Sequence, residues 1–132
     1  MAYVRISEAA ELLGVSTDTV RRWVDAGKIR PARSEGQLAV DAVDLARFAA
    51  EQAHTPDPGR AGMASTRNRL KGIVTRIVSD KVMSQVDIQA GPYRVVSLLS
   101  TEAVEQMGLQ VGSVAVASIK ATNVAVEKAN KQ

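Results

Sequence analysis

The spacing of apolar residues changes partway along the chain. Before residue 54 they recur every three or four positions, which predicts amphipathic helices, and beyond about residue 65 they alternate with polar residues, which predicts strands. The intervening segment, HTPDPGRAGMA, contains two prolines and two glycines and has no apolar period, which indicates a linker. We therefore expect an α+β chain with a mostly helical domain at 1–53, a linker at 54–64 and a mostly β domain at 65–132.

Capping residues divide the first domain into three helices. Ser7 is predicted to cap a first helix that ends at Gly14, and Ser16 to cap a second helix that ends at Gly27. Two short helices joined by a turn that contains glycine are typical of a helix-turn-helix. A third helix is predicted over 43–51. The candidate core residues belong to the apolar stripes of the second and third helices: Val20, Trp23, Val24, Val43, Leu45, Ala46 and Phe48.

Segments rich in β-branched residues predict five strands in the second domain. In the second of these strands, Val82, Val86, Ile88 and Ala90 share one face. A short helix over 101–107 is expected between the third and fourth strands. Five strands and one helix favour a small barrel, closed or nearly closed, like the OB fold. The predicted strands are 70–78, 82–90, 93–99, 111–119 and 123–126.

Composition narrows the range of chemistry. The chain has no cysteine, and its one histidine lies in the linker, so thiolate sites, histidine-based triads and histidine metal sites are not expected. The sequence contains neither the phosphate-binding motif GxxxxGK[ST] nor a pair of carboxylates arranged for acid–base chemistry, so we do not expect an enzyme. No apolar run has membrane-spanning length and none follows a basic N-terminal stretch, so we expect neither a membrane span nor a signal peptide, and we expect a cytoplasmic protein.

The net charge of +3 is unevenly distributed. Residues 1–54 carry seven basic and eight acidic groups, whereas residues 55–72 carry four basic groups and one acidic group. Because the helical domain is not basic overall, any affinity for DNA has to come from where its arginines point rather than from its total charge.

The segment ISEAAELLGVSTDTVRRWVDAGKI resembles the MerR-like, excisionase-type winged helix-turn-helix. The resemblance implies that the second helix enters the major groove of double-stranded DNA and that the next segment forms a wing on the backbone or minor groove. That segment is acidic at Glu35 and Asp41, which weakens the expected backbone contact. The alternative is that Arg21 and Arg22 are only solvated surface charges. The implied DNA contacts are Ser16, Thr17, Thr19, Arg21 and Arg22 on the reading helix, and Lys28, Arg30 and Arg33 at the start of the wing.

The second domain contains the segments STRNRLKG at 65–72, LQVG at 109–112 and IKATNV at 119–124. Together they resemble the molybdenum-binding Mop/TOBE domain of molbindins and molybdate-responsive regulators. The resemblance covers 65–128 and implies an oxyanion, molybdate or tungstate, held between subunits. Ala103 stands where family members commonly have a hydroxyl. The implied ligands are Ser65, Arg67, Asn68, Ser100 and Lys120, with the backbone of Ala121 as a further donor.

Charge supports an anion site independently. Arg67 and Lys120 supply two positive charges for a dianion, and neither the segment around Arg67 nor that around Lys120 contains a carboxylate. Ser100 and Thr101 open a predicted helix, where free backbone N–H groups favour an anion. The nearest acid, Glu102, is expected to turn outward. The alternative is that Arg67 and Lys120 pair with acids on the barrel surface.

Together the two resemblances imply a molybdate- or tungstate-responsive transcription regulator. We expect a homo-oligomer, with a dimer preferred and a hexamer as the alternative, because two reading helices have to match half-sites about one helical turn apart. Two other functions stay open. One is an oxyanion storage or homeostasis protein that has lost specific DNA binding, and the other is a constitutive DNA-binding protein whose barrel serves only for oligomerisation.

Overall fold

Two separate apolar cores organise the chain, one in each half. The computed structural model describes residues 2–53 and 66–129. The chain divides into two compact units, Met1–His54 and Thr55–Gln132. The segment expected to be a linker, 54–64, lies outside the described residues.

The N-terminal unit contains three helices and a three-stranded antiparallel sheet. The sheet order is β1–β3–β2, so β2 and β3 form a hairpin and β1 lies along the other edge of β3. All three predicted helices are confirmed, whereas β1 was not predicted because its few residues show no alternation. The elements in chain order are β1 (Tyr3–Arg5), α1 (Ile6–Leu13), α2 (Thr17–Asp25), β2 (Pro31–Ser34), β3 (Gln37–Asp41) and α3 (Ala42–Gln52).

Local capping sets both ends of α2. The Ser16 side chain accepts a hydrogen bond from the backbone N–H of Thr19 at 3.2 Å, which confirms Ser16 as the N-cap. At the other end Gly27 has a φ of 76°, in the left-handed region. This conformation lets the N–H of Lys28 reach the carbonyl of Trp23 at 2.9 Å, which confirms Gly27 as the left-handed residue that terminates the helix, two residues after Asp25.

The other two helices begin differently from the prediction. The predicted cap at Ser7 is wrong: α1 begins one residue earlier, at Ile6, directly after β1, and Arg5 holds the N-cap position without a side-chain hydrogen bond. In α3 the cap is Asp41, whose carboxylate accepts the backbone N–H of Asp44 at 3.3 Å. Strand and helix therefore follow each other without a loop at both places.

Trp23 and Phe48 join α2 to α3 in the core of the N-terminal unit. Their ring centroids are 4.9 Å apart, so Trp23 packs with the core, as predicted. The predicted core contacts Val43 and Ala46 are wrong, because both side chains are exposed. Leu45 and Phe48, three residues apart, form the buried face of α3, and positions 43 and 46 lie on other faces.

The C-terminal unit is a curled four-stranded antiparallel sheet with one helix. The strand order is β6–β5–β4–β7. The first half of β4 pairs with β7 and the second half with β5, and the register shifts between Val74 and Arg76. Such a bulge bends a strand and increases its twist. The elements are β4 (Asn68–Ser79), β5 (Met83–Ala90), β6 (Tyr93–Ser100), α4 (Thr101–Met107) and β7 (Val114–Ile119), followed by a 3₁₀ turn at Ala121–Asn123.

The predicted fifth strand, 123–126, is wrong, and the described sheet of this unit has four strands. The 3₁₀ turn takes its place, closed by a hydrogen bond from the N–H of Asn123 to the carbonyl of Lys120 at 2.9 Å. Residues 124–129 form no ladder, and Val126 is 92% exposed. An alternating pattern makes a strand only where another strand's edge is available for pairing.

Val82 was predicted to share a face with Val86, Ile88 and Ala90. The last three are buried in β5, but Val82 precedes the strand and is exposed. The reason is a turn in which the Asp80 carboxylate accepts the backbone N–H groups of Val82 and of the residue after it, each at 2.8 Å. The turn removes Val82 from the alternation of the strand.

Gly72 lies where β4 passes from one neighbour to the other. It pairs with Ala115 in β7, and the next residue already pairs with Gln89 in β5. A Cβ atom at Gly72 would lie 2.8 Å from Ile88 Cγ2 and 2.8 Å from the carbonyl carbon of Gln89. This position therefore requires glycine, because of a close approach between strands.

We expect Gly72→Ala to lower the free energy of unfolding of the C-terminal unit by about 1–3 kcal/mol, the usual cost of overpacking. Lys71→Ala, at an exposed neighbouring position, is the matched control. Thermal unfolding followed by circular dichroism measures the effect. Fluorescence of Trp23, the only tryptophan, follows the N-terminal unit, whose transition should not move. A C-terminal transition equal to that of the control would contradict the close approach.

A second prediction concerns pH. The two backbone N–H bonds, that of Met83 first and that of Val82 second, hold the pKa of Asp80 below its usual value because they favour the charged carboxylate. A carboxylate whose pKa is lower in the folded than in the unfolded state stabilises the fold at pH values above the unfolded pKa, about 3.9. This stabilisation is lost as the pH falls through the folded pKa. Asp80→Asn should therefore be less stable than the native chain near neutral pH, and this difference should shrink in acid.

Urea unfolding from about pH 7 to about pH 3 would measure this difference across the window in which the carboxylate titrates. Glu105→Gln, at an exposed site on α4, controls for the loss of one negative charge. If Asp80→Asn is destabilised equally at both ends of the range, the charged carboxylate is not what stabilises the turn.

Candidate functional sites

Hydrogen bonds join three of the predicted DNA-contacting side chains at the start of α2. Ser16 Oγ lies 3.0 Å from Thr19 Oγ1, and Arg22 Nη2 donates to Thr19 Oγ1 at 3.1 Å. Ser16 and Arg22 are exposed, and Thr19 is half-buried. Thr19 therefore orients the guanidinium of Arg22, whose remaining N–H groups can donate to an external acceptor.

Arg21 and Thr17 lie on a neighbouring part of the same helix. Arg21 Nη1 is 3.6 Å from Asp18 Oδ1, in an ion pair between two exposed side chains. Such pairs contribute little to stability, so Arg21 can exchange Asp18 for an external anion. Thr17 is the first residue of α2 and is partly exposed.

Hydrogen bonds hold the basic residues before and within the hairpin, through the backbone for Lys28 and Arg30 and through the side chain for Arg33. The N–H of Arg30 donates to Asp44 Oδ2 at 2.6 Å, and Arg47 Nη2 donates to the carbonyl of Lys28 at 3.0 Å. The pKa of Asp44 is lowered, first by the hydrogen bond from the Arg47 side chain and then by the one from the Arg30 backbone. Arg33 Nη1 donates to a carbonyl at the hairpin tip at 3.2 Å. The side chains of Lys28 and Arg30 stay exposed.

Most of the predicted anion ligands meet at one end of the β4–β7 ladder. Asn68 pairs with Ile119, and its Nδ2 donates to the Ile119 carbonyl at 3.2 Å. Arg67 precedes Asn68 and Lys120 follows Ile119, so extending the register by one residue sets Arg67 opposite Lys120. Both side chains are exposed, and we refer to Arg67 and Lys120 as the basic pair.

Among residues 2–53 and 66–129, neither member of the basic pair forms an ion pair with a carboxylate. Ala121, also predicted to bind the anion, is exposed and begins the 3₁₀ turn beside Lys120. Ser65 lies outside the described residues.

Ser100 lies at the other end of β4 from the basic pair. It pairs with Met83 at the start of β5, and the residue after Met83, Ser84, pairs on its other side with Ser79 at the end of β4. The 12 residues of β4 correspond to roughly 40 Å of extended chain. Within one copy, the sheet register therefore places Ser100 and the basic pair at opposite ends of β4.

Ser100 has a free proton to donate. Its Oγ accepts the backbone N–H of Ala103 at 3.0 Å as the N-cap of α4, which leaves the hydroxyl hydrogen for another acceptor. The neighbouring Thr101 is fixed by hydroxyl contacts, 2.8 Å to Ser84 Oγ and 2.8 Å to the carbonyl of Asp80. Sequence reasoning missed this network, although an aspartate in a short turn before the strand is a recognisable signal.

Arg69 was also missed. Its Nε is buried and has no hydrogen-bond partner among the described residues. Alternation along β4 places Arg69 on the same side of the strand as Arg67, opposite Ser118 of β7. The alternating basic residues 67, 69 and 71 in the sequence are the signal that could have found it.

Residues 2–53 and 66–129 contain no cluster of three or more histidine, aspartate or glutamate side chains that could hold a metal ion. They also contain no helix long and apolar enough to cross a membrane.

Comparison with known families matches a different family to each of the two units. Residues 3–53 match a family described as helix-turn-helix domain, and residues 64–126 match the TOBE domain. No curated protein matches the chain. Among solved structures, a molybdate-binding protein from Sporomusa ovata is 29% identical, with 49% of this chain and 97% of that chain covered and a TM-score of 0.48. MopII from Clostridium pasteurianum is 32% identical, with 49% and 98% covered and a TM-score of 0.47.

Both matched families are binding domains, and neither is an enzyme family. The chain belongs to the TOBE domain family through residues 64–126 and carries a helix-turn-helix domain at residues 3–53.

Proposed function

We propose that the chain is a DNA-binding transcription regulator whose C-terminal unit binds molybdate or tungstate between two copies. The observation that carries the proposal is the basic pair: Arg67 and Lys120 flank Asn68 and Ile119, the last pair of the β4–β7 ladder, without a described carboxylate partner. The relatives from Sporomusa ovata and Clostridium pasteurianum, a molybdate-binding protein and MopII, support the choice of ligand.

A dianion would compensate two positive charges at once. Arg67 and Lys120 flank the last pair of the β4–β7 ladder, and a doubly charged oxyanion between them would form a charge-assisted hydrogen bond with each. Arg67 offers paired N–H donors and Lys120 offers an ammonium group that can rotate toward an oxygen. Asn68, tied to Ile119, fixes the end of the ladder and has one further amide N–H to donate.

A second copy would complete the site. Ser100 lies at the far end of β4 from the basic pair, so its hydroxyl reaches the anion only if it comes from another protomer. The C-terminal unit also exposes large apolar side chains, among them Leu98 at 69%, Val114 at 67% and Tyr93 at 64%. Exposed apolar surface of this kind is typical of a surface that another chain covers.

The N-terminal unit would read DNA through α2, with Arg22 and Arg21 as base or phosphate contacts. Pairing of C-terminal units sets the separation of two such helices, which have to match half-sites about 34–36 Å apart. The oxyanion can change DNA affinity only by binding better to one arrangement of the two units than to another.

A storage protein is the second candidate. Glu35, an acidic residue at the tip of the β2–β3 hairpin, favours it because a carboxylate there opposes DNA phosphates. This candidate requires oxyanion binding but no effect of oxyanion on DNA binding.

A third candidate, constitutive DNA binding with the C-terminal unit used only for assembly, requires DNA binding but no oxyanion site. Ala103, which lacks a hydroxyl beside Ser100, favours that one.

Calorimetric titration should show binding of molybdate and tungstate at micromolar concentration or below and much weaker binding of sulfate. Arg67→Ala and Lys120→Ala should each abolish it, because removing either charge leaves a buried dianion half compensated. Lys71→Ala, at an exposed position on the same strand, removes a charge outside the site and should bind as the native chain does. No heat with any oxyanion would eliminate the sensor and storage candidates together.

A mixing experiment tests whether the site is shared between copies. Ser100→Gly retains most of the capping stability of α4, because glycine is a tolerated N-cap, but removes the hydroxyl. Mixed with Lys120→Ala and refolded together, it should form heterodimers with one intact site and one doubly damaged site. Recovery of about half of the native binding capacity in that heterodimer is expected. No recovery would place all ligands within one copy.

DNA binding is the third measurement. Fluorescence anisotropy with duplex from the chain's own upstream region, with and without molybdate, should show a change in affinity of about 5–150-fold, the range of ordinary allosteric coupling. Arg22→Ala should reduce discrimination against mismatched duplex by about 1–3 kcal/mol. Equal affinity with and without bound molybdate would leave DNA binding and oxyanion binding as uncoupled activities.

A further inference from the structure

An open cleft lies in the N-terminal unit between the start of α1, the start of α2 and the tip of the β2–β3 hairpin. It has a volume of about 660 Å³. We propose that this cleft binds the phosphates of one DNA strand, with Arg5 as a contact that the reading helix does not supply; the inference rests on the proposed DNA binding. Its lining is mostly polar and includes Arg5, Ser7, Thr17, Arg21, Ser34 and Glu35.

Arg5 is placed for a phosphate by the fold of the backbone. It ends β1, where it pairs with Ala39 of β3, and it immediately precedes α1. Its side chain is exposed and forms no ion pair within residues 2–53 and 66–129. An arginine fixed at a strand–helix junction loses little backbone freedom on binding, and its planar guanidinium matches two phosphate oxygens at once.

Arg21 faces the same cleft from α2. Its present partner, Asp18, is exposed and 3.6 Å away, so a phosphate can replace it at little cost. Ser7 and Thr17 add hydroxyl donors, which commonly bind the DNA backbone. Arg21 also shares α2 with Arg22, so the cleft adjoins the surface proposed to read bases. This continuity favours duplex DNA over a small anion as the occupant.

Glu35 is the one acid in the lining, and its backbone is unusual. Its φ is 53° and that of Gly36 is 79°, the signs required by a two-residue type I′ hairpin turn. Asparagine and aspartate are the usual first residues of such turns, and glutamate gains nothing there by conformation. A strained residue at a binding surface points to a functional role. Here the carboxylate of Glu35 repels the phosphates of DNA, which lowers the affinity of a single copy for DNA.

The test uses the full chain and fluorescence anisotropy with a non-specific duplex over a series of salt concentrations. Arg5→Gln should weaken binding equally for all duplex sequences and make the slope of log K against log salt shallower by about 0.9, the value of one phosphate contact. Glu35→Gln should tighten binding at every salt concentration. Lys71→Gln, in the C-terminal unit, removes one positive charge outside the cleft and is the matched control.

The outcomes separate this inference from the function on which it rests. If Arg5→Gln equals Lys71→Gln in both affinity and slope while Arg22→Ala still weakens binding, the cleft does not hold phosphates and the proposed DNA binding stands. If the native chain binds no duplex at low salt, both fail. Thermal unfolding of each variant, followed by Trp23 fluorescence, shows that the N-terminal unit is folded. An unchanged affinity for Glu35→Gln would also overturn the role assigned to the cleft.

Discussion

The pairing of β4 with two neighbours is the constraint on which the C-terminal unit depends. Its first residues pair with β7 and its last with β5, and the change of neighbour falls at Ile73, which pairs with both. Gly72 permits the close approach that this requires, and the bulge beyond Val74 bends the strand. Every proposed anion ligand that the structure describes is placed by this strand, because β7 brings Lys120 to its start and β5 brings Ser100 to its end.

The same geometry is the reason why, in the proposed function, one copy does not hold a complete site. The basic pair collects positive charge at one end of β4, and Ser100 lies at the other, where its hydroxyl caps α4 by accepting the backbone N–H of Ala103. An antiparallel arrangement of two identical copies would bring unlike ends together, and a two-fold axis would then create two equal sites. In such an isologous interface a residue at one end of the patch meets a residue at the other. The proposed shared site follows from this symmetry.

The sequence could predict those features of the fold that depend on interactions between residues close together in the chain. Ser16 and Gly27 act through bonds within a few residues, and Val86, Ile88 and Ala90 are buried by simple alternation. The failures have non-local causes. A strand at 123–126 needs an edge that the described residues do not provide, and the buried face of α3 depends on where the sheet lies.

For the candidate sites, too, the sequence could indicate residues within motifs but not placements that depend on the whole fold. Motif resemblance named Arg67, Asn68 and Lys120, and the ladder register brings these three to one end of the sheet. It also named Ser100, but no sequence pattern could tell that this residue would lie at the opposite end of β4. Arg5 was missed altogether, because the cleft that it lines forms only when β1, α2 and the hairpin come together.

In the proposed mechanism, the charges of the N-terminal unit make the binding of DNA by a single unit weak. Residues 1–54 have one more acidic than basic group, Asp18 competes for Arg21, and Glu35 lies in the proposed phosphate cleft. With low affinity per unit, occupancy of an operator depends on two linked units binding together, since linkage makes the second contact intramolecular. A ligand that stabilises pairing, or fixes the spacing of the pair, then controls DNA binding without touching DNA. A tightly binding single unit would leave the oxyanion nothing to regulate, so the acidic residues at the DNA-facing surface are what the proposed mechanism requires.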